Sequence, residues 1–446
     1  MASGKEIDVG DLIENQPLGR FQLSVIGWSW ALMFVEGYDM QVLAYAAPAI
    51  IKAWHIDRSI FGPVFGAGLF GYLIGATCLT GLADRFGRKR VILAGCLIFG
   101  SLTLAAAFAS SLTELLVLRA LAGLGLGSSI PTVIALNAEY ASSRTRATRI
   151  SLLFVGYTLG GAAGGFIAAK LMPLFGWPVV FQIGGIAPIV LCGFLVFTLP
   201  ESVRFLVLKQ DARERIVAIL QKMLPERSFA HDALFILREE TQPGFPVKHL
   251  FTEGRALMTS LLWAAFVTSF LGHHFLTSWM PTVLEQGGVS LEDAVHAGAL
   301  FHVGGAVGSI LIGRLLDTRG TITVAMAFMF AVPLVVLIGT GGMSVMLMLS
   351  VVSFAGIFVL GGQIGINALS GTLYPTYIRS TGAGWAFGIG RFGSVLGPVL
   401  GGVLISWKLP TSIIFICAAA PLLCCAAVVF VLGARYTTRA PQPKLV

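Results

Sequence analysis

The stretch Thr80-Gly81-Leu82-Ala83-Asp84-Arg85-Phe86-Gly87-Arg88-Lys89-Arg90 follows the second of many apolar runs in this sequence. A related stretch, Gly313-Arg314-Leu315-Leu316-Asp317-Thr318-Arg319, follows the eighth apolar run. When the two halves of the chain are overlaid with an offset of 233–236 residues, Asp84 matches Asp317. A repeat of this length predicts two similar units of six helices. Duplicated units of this kind are typical of transporters that bind their substrate between the halves.

The composition predicts a helical membrane protein that crosses the bilayer many times. Of the 446 residues, 56% are hydrophobic and only 12% are charged, and the mean hydropathy is +0.85. Apolar runs of about 18 residues or more, long enough to cross the hydrocarbon layer as helices, recur along nearly the whole chain. This pattern excludes a soluble enzyme. The predicted spans are 23–49, 60–82, 91–110, 112–137, 149–171, 178–199, 256–284, 294–316, 321–340, 344–370, 380–406 and 410–433.

The spans fall into two groups of six, separated by one long polar segment. The predicted fold is therefore an all-α membrane protein with twelve transmembrane helices in two six-helix halves. The predicted divisions of the chain are a cytoplasmic N-terminal tail (1–22), an N-terminal half (23–199), a cytoplasmic linker (200–255), a C-terminal half (256–433) and a cytoplasmic C-terminal tail (434–446).

The distribution of positive charge predicts the orientation in the membrane, since short loops rich in Lys and Arg stay in the cytoplasm. With the N-terminus inside, 24 of the 30 Lys and Arg residues fall on the cytoplasmic side and four on the outside. Both termini are therefore expected to be cytoplasmic. This placement accounts for the formal charge of +8, so no nucleic-acid partner is inferred. No removable signal peptide is expected in the acidic first 22 residues.

Charged residues inside the apolar spans are the strongest functional candidates, because each costs several kcal/mol there. Glu36 and Asp39 lie three residues apart in the first span, on one face of a helix. Arg119 in the fourth span lies at a depth similar to that of Asp39, so the two are expected to meet. A carboxylate that pairs with this guanidinium in one state and takes a proton in another would couple transport to protons. The alternatives are buried hydrogen bonds for the acids and a fixed ion pair for Arg119, with Asp39 or with Glu114.

A second set of residues predicts a substrate pocket. Arg391 lies near the middle of the eleventh span, and its half has no carboxylate at that depth. The planar guanidinium suits bidentate binding of a substrate carboxylate, whereas a helix brace bonded to backbone carbonyls is the alternative. The other predicted pocket residues are Tyr38, His273, His274, His302, Trp279, Gln363, Asn367 and Trp385, together with Tyr157 and Phe270.

These side chains would stack on a flat ring and bond to ring hydroxyls. Because His273 and His274 are adjacent, they are not expected to face the same direction. The acids of the first span, Arg119 and Arg391 are expected to share one chamber that water can reach.

A third set predicts a cytoplasmic charge network that breaks when that side opens, with retention of topology by the positive charges as the alternative. Its residues are Asp84, Arg85, Arg88, Glu139, Arg146, Glu201, Arg204 and Asp317. Close approach of the helices is expected at the small-residue pairs Gly71/Gly75, Gly123/Gly127, Gly161/Gly165 and Gly397/Gly401. No spacing of Cys, His or acidic residues predicts a metal site.

The loop Leu82–Arg90 resembles the signature loop of the major facilitator superfamily, and the resemblance covers essentially all twelve spans. Thr80 departs from the family pattern, which usually has glycine there. Within the superfamily, Glu36-Gly37-Tyr38-Asp39, Pro200–Phe205 and Gly388–Gly393 are similar to motifs of the aromatic acid:proton symporters, and the overall pattern resembles bacterial 4-hydroxybenzoate-type permeases. The first acid of that motif is more often Asp, and here it is Glu36.

The resemblance implies proton-coupled inward symport of an aromatic carboxylate, such as a hydroxybenzoate or benzoate, across a bacterial inner membrane by alternating access. Glu36, Asp39 and Arg119 would then couple protons, and Arg391 would bind the substrate. The implied partners are the substrate, protons and membrane lipids, with a monomeric chain and no cofactor.

Other functions stay open at this stage. A proton-linked drug exporter is disfavoured because the fifth span reads Gly160-Gly161-Ala162-Ala163-Gly164-Gly165, without the proline that such exporters usually have. A sugar or dicarboxylate symporter is a further alternative. A membrane sensor is the least favoured alternative, because no soluble signalling domain is recognised in the sequence.

Overall fold

The computed structural model describes residues 6–14, 16, 18–209, 213–225, 229, 233–237, 247–374 and 378–436. Within these residues the chain is almost entirely helical. The helices are α1 (Val9–Glu14), α2 (Arg20–Trp54), α3 (Gly62–Ile74), α4 (Leu82–Phe86), α5 (Arg88–Ala106), α6 (Leu112–Glu139), α7 (Ser143–Phe175), α8 (Pro178–Thr198), α9 (Val203–Leu208), α10 (Arg213–Met223), α11 (Ala256–Gln286), α12 (Leu291–Arg319), α13 (Ile322–Ile338), α14 (Val345–Leu373), α15 (Arg379–Ser406) and α16 (Thr411–Tyr436).

Twelve of these helices account for the predicted spans. Ten are long and apolar enough to cross a membrane, counting α3 with the π-helical turn Gly75–Leu79 that continues it. Helix α13 is shorter, at 17 residues, but is strongly apolar. Helix α2 has 35 residues and carries Glu36 and Asp39 among its apolar side chains. Helices α2, α7 and α12 extend past both ends of their predicted spans, because an apolar run marks the hydrocarbon layer and not the end of the helix, whereas α13 ends within its predicted span.

Close helix crossings occur at the predicted glycines. A Cβ on Gly71 would collide with the carbonyl oxygen of Ala120, and a Cβ on Gly123 would collide with that of Gly68. Helices α3 and α6 therefore pack backbone to backbone, which a larger side chain would prevent. In the second half of the chain, a Cβ on Gly304 of α12 would likewise collide with the carbonyl oxygen of Ser353 of α14.

The contacts between helices repeat in the two halves. Helix α2 packs on α7 as α11 packs on α15, and α3 packs on α6 as α12 packs on α14. Between the halves, α3 contacts α15 and α7 contacts α12, which are two copies of one contact in a duplicated structure. Helix α2 contacts its counterpart α11. This pattern is the packing expected from the internal repeat.

The halves meet at one end of the bundle and separate at the other. At the first end, here called the Glu285 end, Arg58 forms a salt bridge of 2.7 Å with Glu285, and a Cβ on Gly62 would lie 3.2 Å from Gly402 Cα. At the opposite end, called the Arg88 end, a cavity of about 440 Å³ lies between the halves. Ala76, in the π-helical turn that continues α3, and Asn367 of α14 lie on its two sides.

The segment after α8 is folded where the structure describes it. Strand β2 (Leu234–Ile236) pairs in parallel with β1 (Glu6–Asp8), so the all-α expectation has one small exception. Helix α10 buries Ile216 and Leu220 and contacts α2. This part of the predicted linker therefore packs on the N-terminal half. The predicted boundaries of the linker and of the two tails stay predictions.

Candidate functional site

Asp39 and Arg119 form a buried ion pair inside the N-terminal half. The Arg119 guanidinium donates to both carboxylate oxygens of Asp39, at 3.2 and 3.1 Å, and to the Asp39 carbonyl oxygen at 3.1 Å. Thr103 of α5 completes the cluster, since its hydroxyl donates to Asp39 and accepts from Arg119. The Asp39 side chain is fully buried and that of Arg119 is 4% exposed. Glu114, the alternative partner, instead accepts hydrogen bonds from Ser110.

Glu36 lies one helical turn before Asp39 and differs from it sharply. It is fully buried, and neither carboxyl oxygen has a hydrogen-bond partner among the described residues. The neighbouring residue Gly37 lets α2 approach α7 closely, because a Cβ there would collide with the Tyr157 carbonyl oxygen. Of the two acids in the first span, one is therefore fully paired and the other is not.

Arg391 lies between the halves and is surrounded by aromatic rings. Its guanidinium carbon lies 4.1 Å from the centre of the Tyr72 ring, 4.6 Å from that of Phe387 and 5.1 Å from that of Phe270. The side chain is nearly buried, and its Nε has no hydrogen-bond partner among the described residues. No carboxylate in the described part of the chain pairs with it. The positive charge is held by ring faces and remains available to an anion.

A second cavity, smaller than the one between the halves described above, brings together most of the predicted pocket. Arg391 lines both cavities, and the smaller one is called the Arg391 cavity. The predicted residues that line this space are Tyr157, Phe270, His273, His274, His302, Gln363 and Asn367. The Gln363 side chain is oriented by Ser269, whose hydroxyl donates to Gln363 Oε1, and Gln363 Nε2 donates to the side-chain oxygen of Asn367 at 3.5 Å. His302 is fixed by a 2.9 Å contact between Nδ1 and the Gly298 carbonyl oxygen.

The two adjacent histidines correct one expectation. The rings of His273 and His274 are stacked with centres 4.6 Å apart, and both line the Arg391 cavity. Adjacent residues on a helix diverge by about 100°. Side-chain torsions therefore bring these two rings back to the same space.

Three predicted pocket residues lie elsewhere and are left out of the candidate site. Tyr38 donates its hydroxyl to the Val180 carbonyl oxygen at 3.0 Å and packs inside the N-terminal half. Trp279 donates its indole N–H to the Pro398 carbonyl oxygen at 2.8 Å and stacks edge-on against Phe65. Trp385 is 42% exposed. Sequence position gave these residues a suitable depth but could not give the direction of their side chains.

The expectation of a single chamber is also corrected. Arg119 lines a narrow space of about 30 Å³, and Arg391 lines the larger cavity beside it. Glu36 and Asp39 line neither space. His274 lines both spaces and is therefore the described side chain that connects the ion pair with the Arg391 cavity.

Comparison with known proteins identifies the family. A sequence model of the Major Facilitator Superfamily matches residues 29–390, which is most of the chain. The chain belongs to this superfamily. It is a membrane transporter and not an enzyme, and the predicted fold class is confirmed.

The relatives of this transporter carry informative names. It is 37% identical to the gallate transporter of Pseudomonas putida, over 92% of this chain and 91% of that protein. It is 36% identical to the 4-hydroxybenzoate transporter PcaK of Acinetobacter baylyi, over 93% and 92%, and 32% identical to the benzoate transport protein of the same species, over 98% and 95%. The predicted resemblance to 4-hydroxybenzoate-type permeases is confirmed.

A solved structure supports the fold of the transporter independently. The bacterial homologue of the human lysosomal transporter Spinster matches with a TM-score of 0.73, over 96% of this chain and 100% of that chain. The sequence identity is 17%, so this likeness shows the fold alone.

The predicted gating residues of the transporter form a network at the Arg88 end. Arg88 pairs with Glu139 at 3.0 Å and with Asp84 at 2.9 Å. One carboxylate oxygen of Glu201 accepts the backbone N–H groups of Arg88 and Lys89, at 2.7 and 3.1 Å. Each of these contacts lies within the N-terminal half and the segment that follows it. In this conformation they brace one half and do not join the two.

The remaining predicted gating residues lie on helices α4, α7, α9 and α12. The Arg85 guanidinium lies 5.3 Å from the centre of the Phe86 ring. Arg146 and Arg204 are half-buried, on α7 and α9. The side chain of Asp317 falls outside the described part of the structure. A gating role for all eight residues stays a prediction.

The sequence-based prediction missed two features of the transporter. Tyr72 and Phe387 hold the Arg391 guanidinium but were not singled out. Phe387 lies four residues before Arg391, a helical spacing that could have revealed it. The salt bridge between Arg58 and Glu285 joins residues 227 positions apart, so only the folded structure could show it.

Proposed function

We propose that this transporter takes up a small aromatic carboxylate, of the benzoate and hydroxybenzoate type, together with protons. The observation that carries the proposal is the environment of Arg391. A guanidinium held between halves by three aromatic rings, and paired with no carboxylate of the described residues, suits a ligand that is flat, aromatic and anionic. The names of the relatives support the same class of substrate.

The cavity offers complementary groups for each part of such a ligand. The carboxylate would lie against Arg391, and the ring would stack among Tyr157, Phe270 and Phe387. Ring hydroxyls would bond to the polar group formed by Gln363 and Asn367, or to the paired histidines. Cavities of this kind, mostly apolar with a few oriented polar groups, are typical of small-molecule sites.

Proton coupling rests on the two acids of α2. Asp39 is neutralised by Arg119, whereas Glu36 is fully buried, has no opposite charge paired with it in the described structure, and makes no hydrogen bond of ordinary length to a described residue. A charged carboxylate without partners is costly in this environment, and a protonated carboxyl group costs much less. We therefore propose that Glu36 carries a proton in this conformation. The Asp39–Arg119 pair would respond to the occupied cavity through His274, which lines both spaces.

Symport also has an electrical reason. An anion that moves into a cell opposes the membrane potential, at a cost of about 2.3 kcal/mol per charge for each 100 mV. One accompanying proton removes this cost. A carboxylate substrate and a protonatable acid in the same bundle are therefore suited to each other.

The orientation proposed from the positive charges places the Arg88 end and both termini in the cytoplasm of a bacterial cell, with the protein in the inner membrane. The halves are in contact at the Glu285 end and apart at the Arg88 end. The structure then corresponds to an inward-facing state in an alternating-access cycle. The Arg58–Glu285 pair would break when the other face opens.

Uptake into proteoliposomes with an imposed pH gradient tests the proposal. Radiolabelled 4-hydroxybenzoate should accumulate when the outside is acidic, and a protonophore should abolish the accumulation. Excess benzoate should compete, whereas glucose, succinate and a cationic dye should not. Accumulation that ignores the pH gradient would contradict proton symport. Competition by succinate or the dye but not by benzoate would contradict the proposal that the substrate is an aromatic carboxylate.

A further inference from the structure

A separate cavity of about 810 Å³ lies at the Arg88 end, on the outside of the N-terminal half. Its walls come from the N-terminal end of α2, the end of α4, the start of α5, the end of α8, and helices α9 and α10. It shares no lining residue with the cavity around Arg391. Two of its lining residues, Arg85 and Glu201, belong to the predicted gating network, and the others have no role in transport as proposed above.

The cavity is strongly basic. Six of its lining residues are cationic, namely Arg85, Lys89, Arg90, Lys209, Arg215 and Lys222. Among the described residues, one carboxylate, that of Glu201, also lines it. One of its oxygens already accepts backbone N–H groups of Arg88, Lys89 and Ser202, so its capacity to neutralise the cations is partly used. Arg215 has a further interaction within the protein, but the other five lining cations still outnumber this carboxylate, so the cavity suits an anionic ligand.

One cation is fixed in the wall of the cavity. The Lys89 ammonium donates to the Val196 carbonyl oxygen at 2.6 Å, near the end of α8. Lys222, in the last turn of α10, comes from the folded segment between the halves. Helices α5 and α10, which are distant in sequence, thus bring the cations Lys89 and Lys222 to the same space. Cations that are only solvated at a surface need not converge in this way.

The rest of the lining is apolar and continues onto the outer surface of the bundle. Phe197 at the end of α8 is 88% exposed, and Phe86 is 45% exposed. Further along α8, Phe194 and Val190 are also exposed on its outer face. A ligand that fills the cavity can therefore place an anionic group among the cations and a hydrocarbon chain along α8.

We propose that this cavity binds the phosphate headgroup of an anionic phospholipid, with the acyl chains lying along α8. Phosphate is the anion that clustered Lys and Arg side chains bind most readily at a membrane surface. The exposed apolar path favours a lipid over a soluble phosphate, which would leave that path unused. The bound lipid would then add to the apolar contacts of Ile216 and Leu220 that hold the basic segment α10 against the bundle.

Lipid binding to the purified full-length chain tests the proposal. Native mass spectrometry with matched acyl chains should show phosphatidylglycerol binding at least tenfold tighter than phosphatidylcholine. The variant Lys209→Gln with Lys222→Gln should weaken phosphatidylglycerol binding about tenfold. The control variant Lys248→Gln with Arg435→Gln removes two exposed cations that do not line this cavity and should bind as the unchanged chain does. Should the double variant fold poorly, Lys222→Gln alone serves, because that side chain is exposed.

Equal binding of the two lipids, or equal loss in the pocket and control variants, would overturn the site. Addition of millimolar glycerol phosphate distinguishes the two sources of phosphate. Phosphatidylglycerol should stay bound in its presence. Its displacement would overturn the lipid assignment and identify a site for a soluble phosphate.

Discussion

The guanidinium of Arg391 lies 4.1 Å from the centre of the Tyr72 ring, and this contact joins the two halves of the transporter inside the bundle. Arg391 belongs to α15 and Tyr72 to α3, whose counterparts in the repeat, α7 and α12, also touch. A substrate bound at Arg391 therefore lies against both halves at once. A site shared in this way can bias the equilibrium between two arrangements of the halves, because the ligand contacts differ in the two states.

Replacement of Arg391 by lysine should weaken binding of 4-hydroxybenzoate by about 10- to 100-fold, and replacement by alanine should abolish it. Lysine keeps the charge but loses the flat stack on Tyr72 and the bidentate geometry. Isothermal titration on purified protein measures the affinity. Tyr72→Phe, which keeps the ring, should bind nearly normally, whereas Tyr72→Leu should not. Unchanged affinity in Arg391→Ala would remove this residue from the site.

Glu36→Gln should retain substrate binding but make it independent of pH between about 5 and 8, if Glu36 carries the coupled proton. Glutamine imitates the protonated side chain and keeps its size. Accumulation driven by a pH gradient should be lost, while exchange of labelled for unlabelled substrate continues. Both measurements use the same proteoliposomes. Accumulation at the unmodified level would show that the coupling proton lies elsewhere.

Asp39→Asn should abolish driven uptake and lower the melting temperature, since it leaves Arg119 buried without a counter-charge. Loss of one partner of a buried pair costs about 3–5 kcal/mol. The matched control is Thr103→Val, which removes a neutral neighbour of the same pair and should cost only about 1 kcal/mol. Thermal unfolding in detergent and proteoliposome uptake distinguish the two variants. Equal effects of both would argue against a special role for the ion pair.

Reversal of one charge in the pair Arg58–Glu285 should shift the transporter towards opening at the Glu285 end. The side chains are about one-third exposed, so the pair is worth at most about 1 kcal/mol, or roughly a fivefold change in population. A cysteine placed at buried Thr277, in a background without native cysteines, should react faster with a membrane-impermeant thiol reagent in Arg58→Glu. The double reversal, Arg58→Glu with Glu285→Arg, should restore the original rate. Failure to restore it would assign the effect to some other contact.

Gly123→Ala should lower the melting temperature by several degrees, whereas Gly193→Ala should leave it unchanged or raise it. A Cβ at Gly123 would collide with the carbonyl oxygen of Gly68, and overpacking of this kind costs about 1–3 kcal/mol. Gly193 of α8 has open space around it, so an added Cβ would contact no other atom. Thermal unfolding of the two variants in one detergent gives the comparison. Similar melting temperatures would contradict the close packing of α3 on α6.

The sequence by itself determined the membrane-spanning helices and the charges worth attention. A hydrocarbon layer about 30 Å thick imposes a local rule on every segment that crosses it, so apolar runs reveal the spans and an unexpected Glu36, Asp39, Arg119 or Arg391 stands out. The repeat around Asp84 and Asp317 also predicted that the chain folds as two similar halves. These signals depend on residues close in the chain or on a fixed offset, and no folded structure is needed to find them.

Only the tertiary structure decided what each of these side chains contacts. Asp39 pairs with Arg119 while Glu36, one turn away, has no hydrogen-bond partner among the described residues, and the depth of both acids is nearly the same. Trp279 turns into the closed end of the bundle, whereas Tyr72 turns towards Arg391. The reason is that hydrophobicity fixes where a helix crosses the membrane but only weakly its rotation, which the packing of neighbouring helices sets.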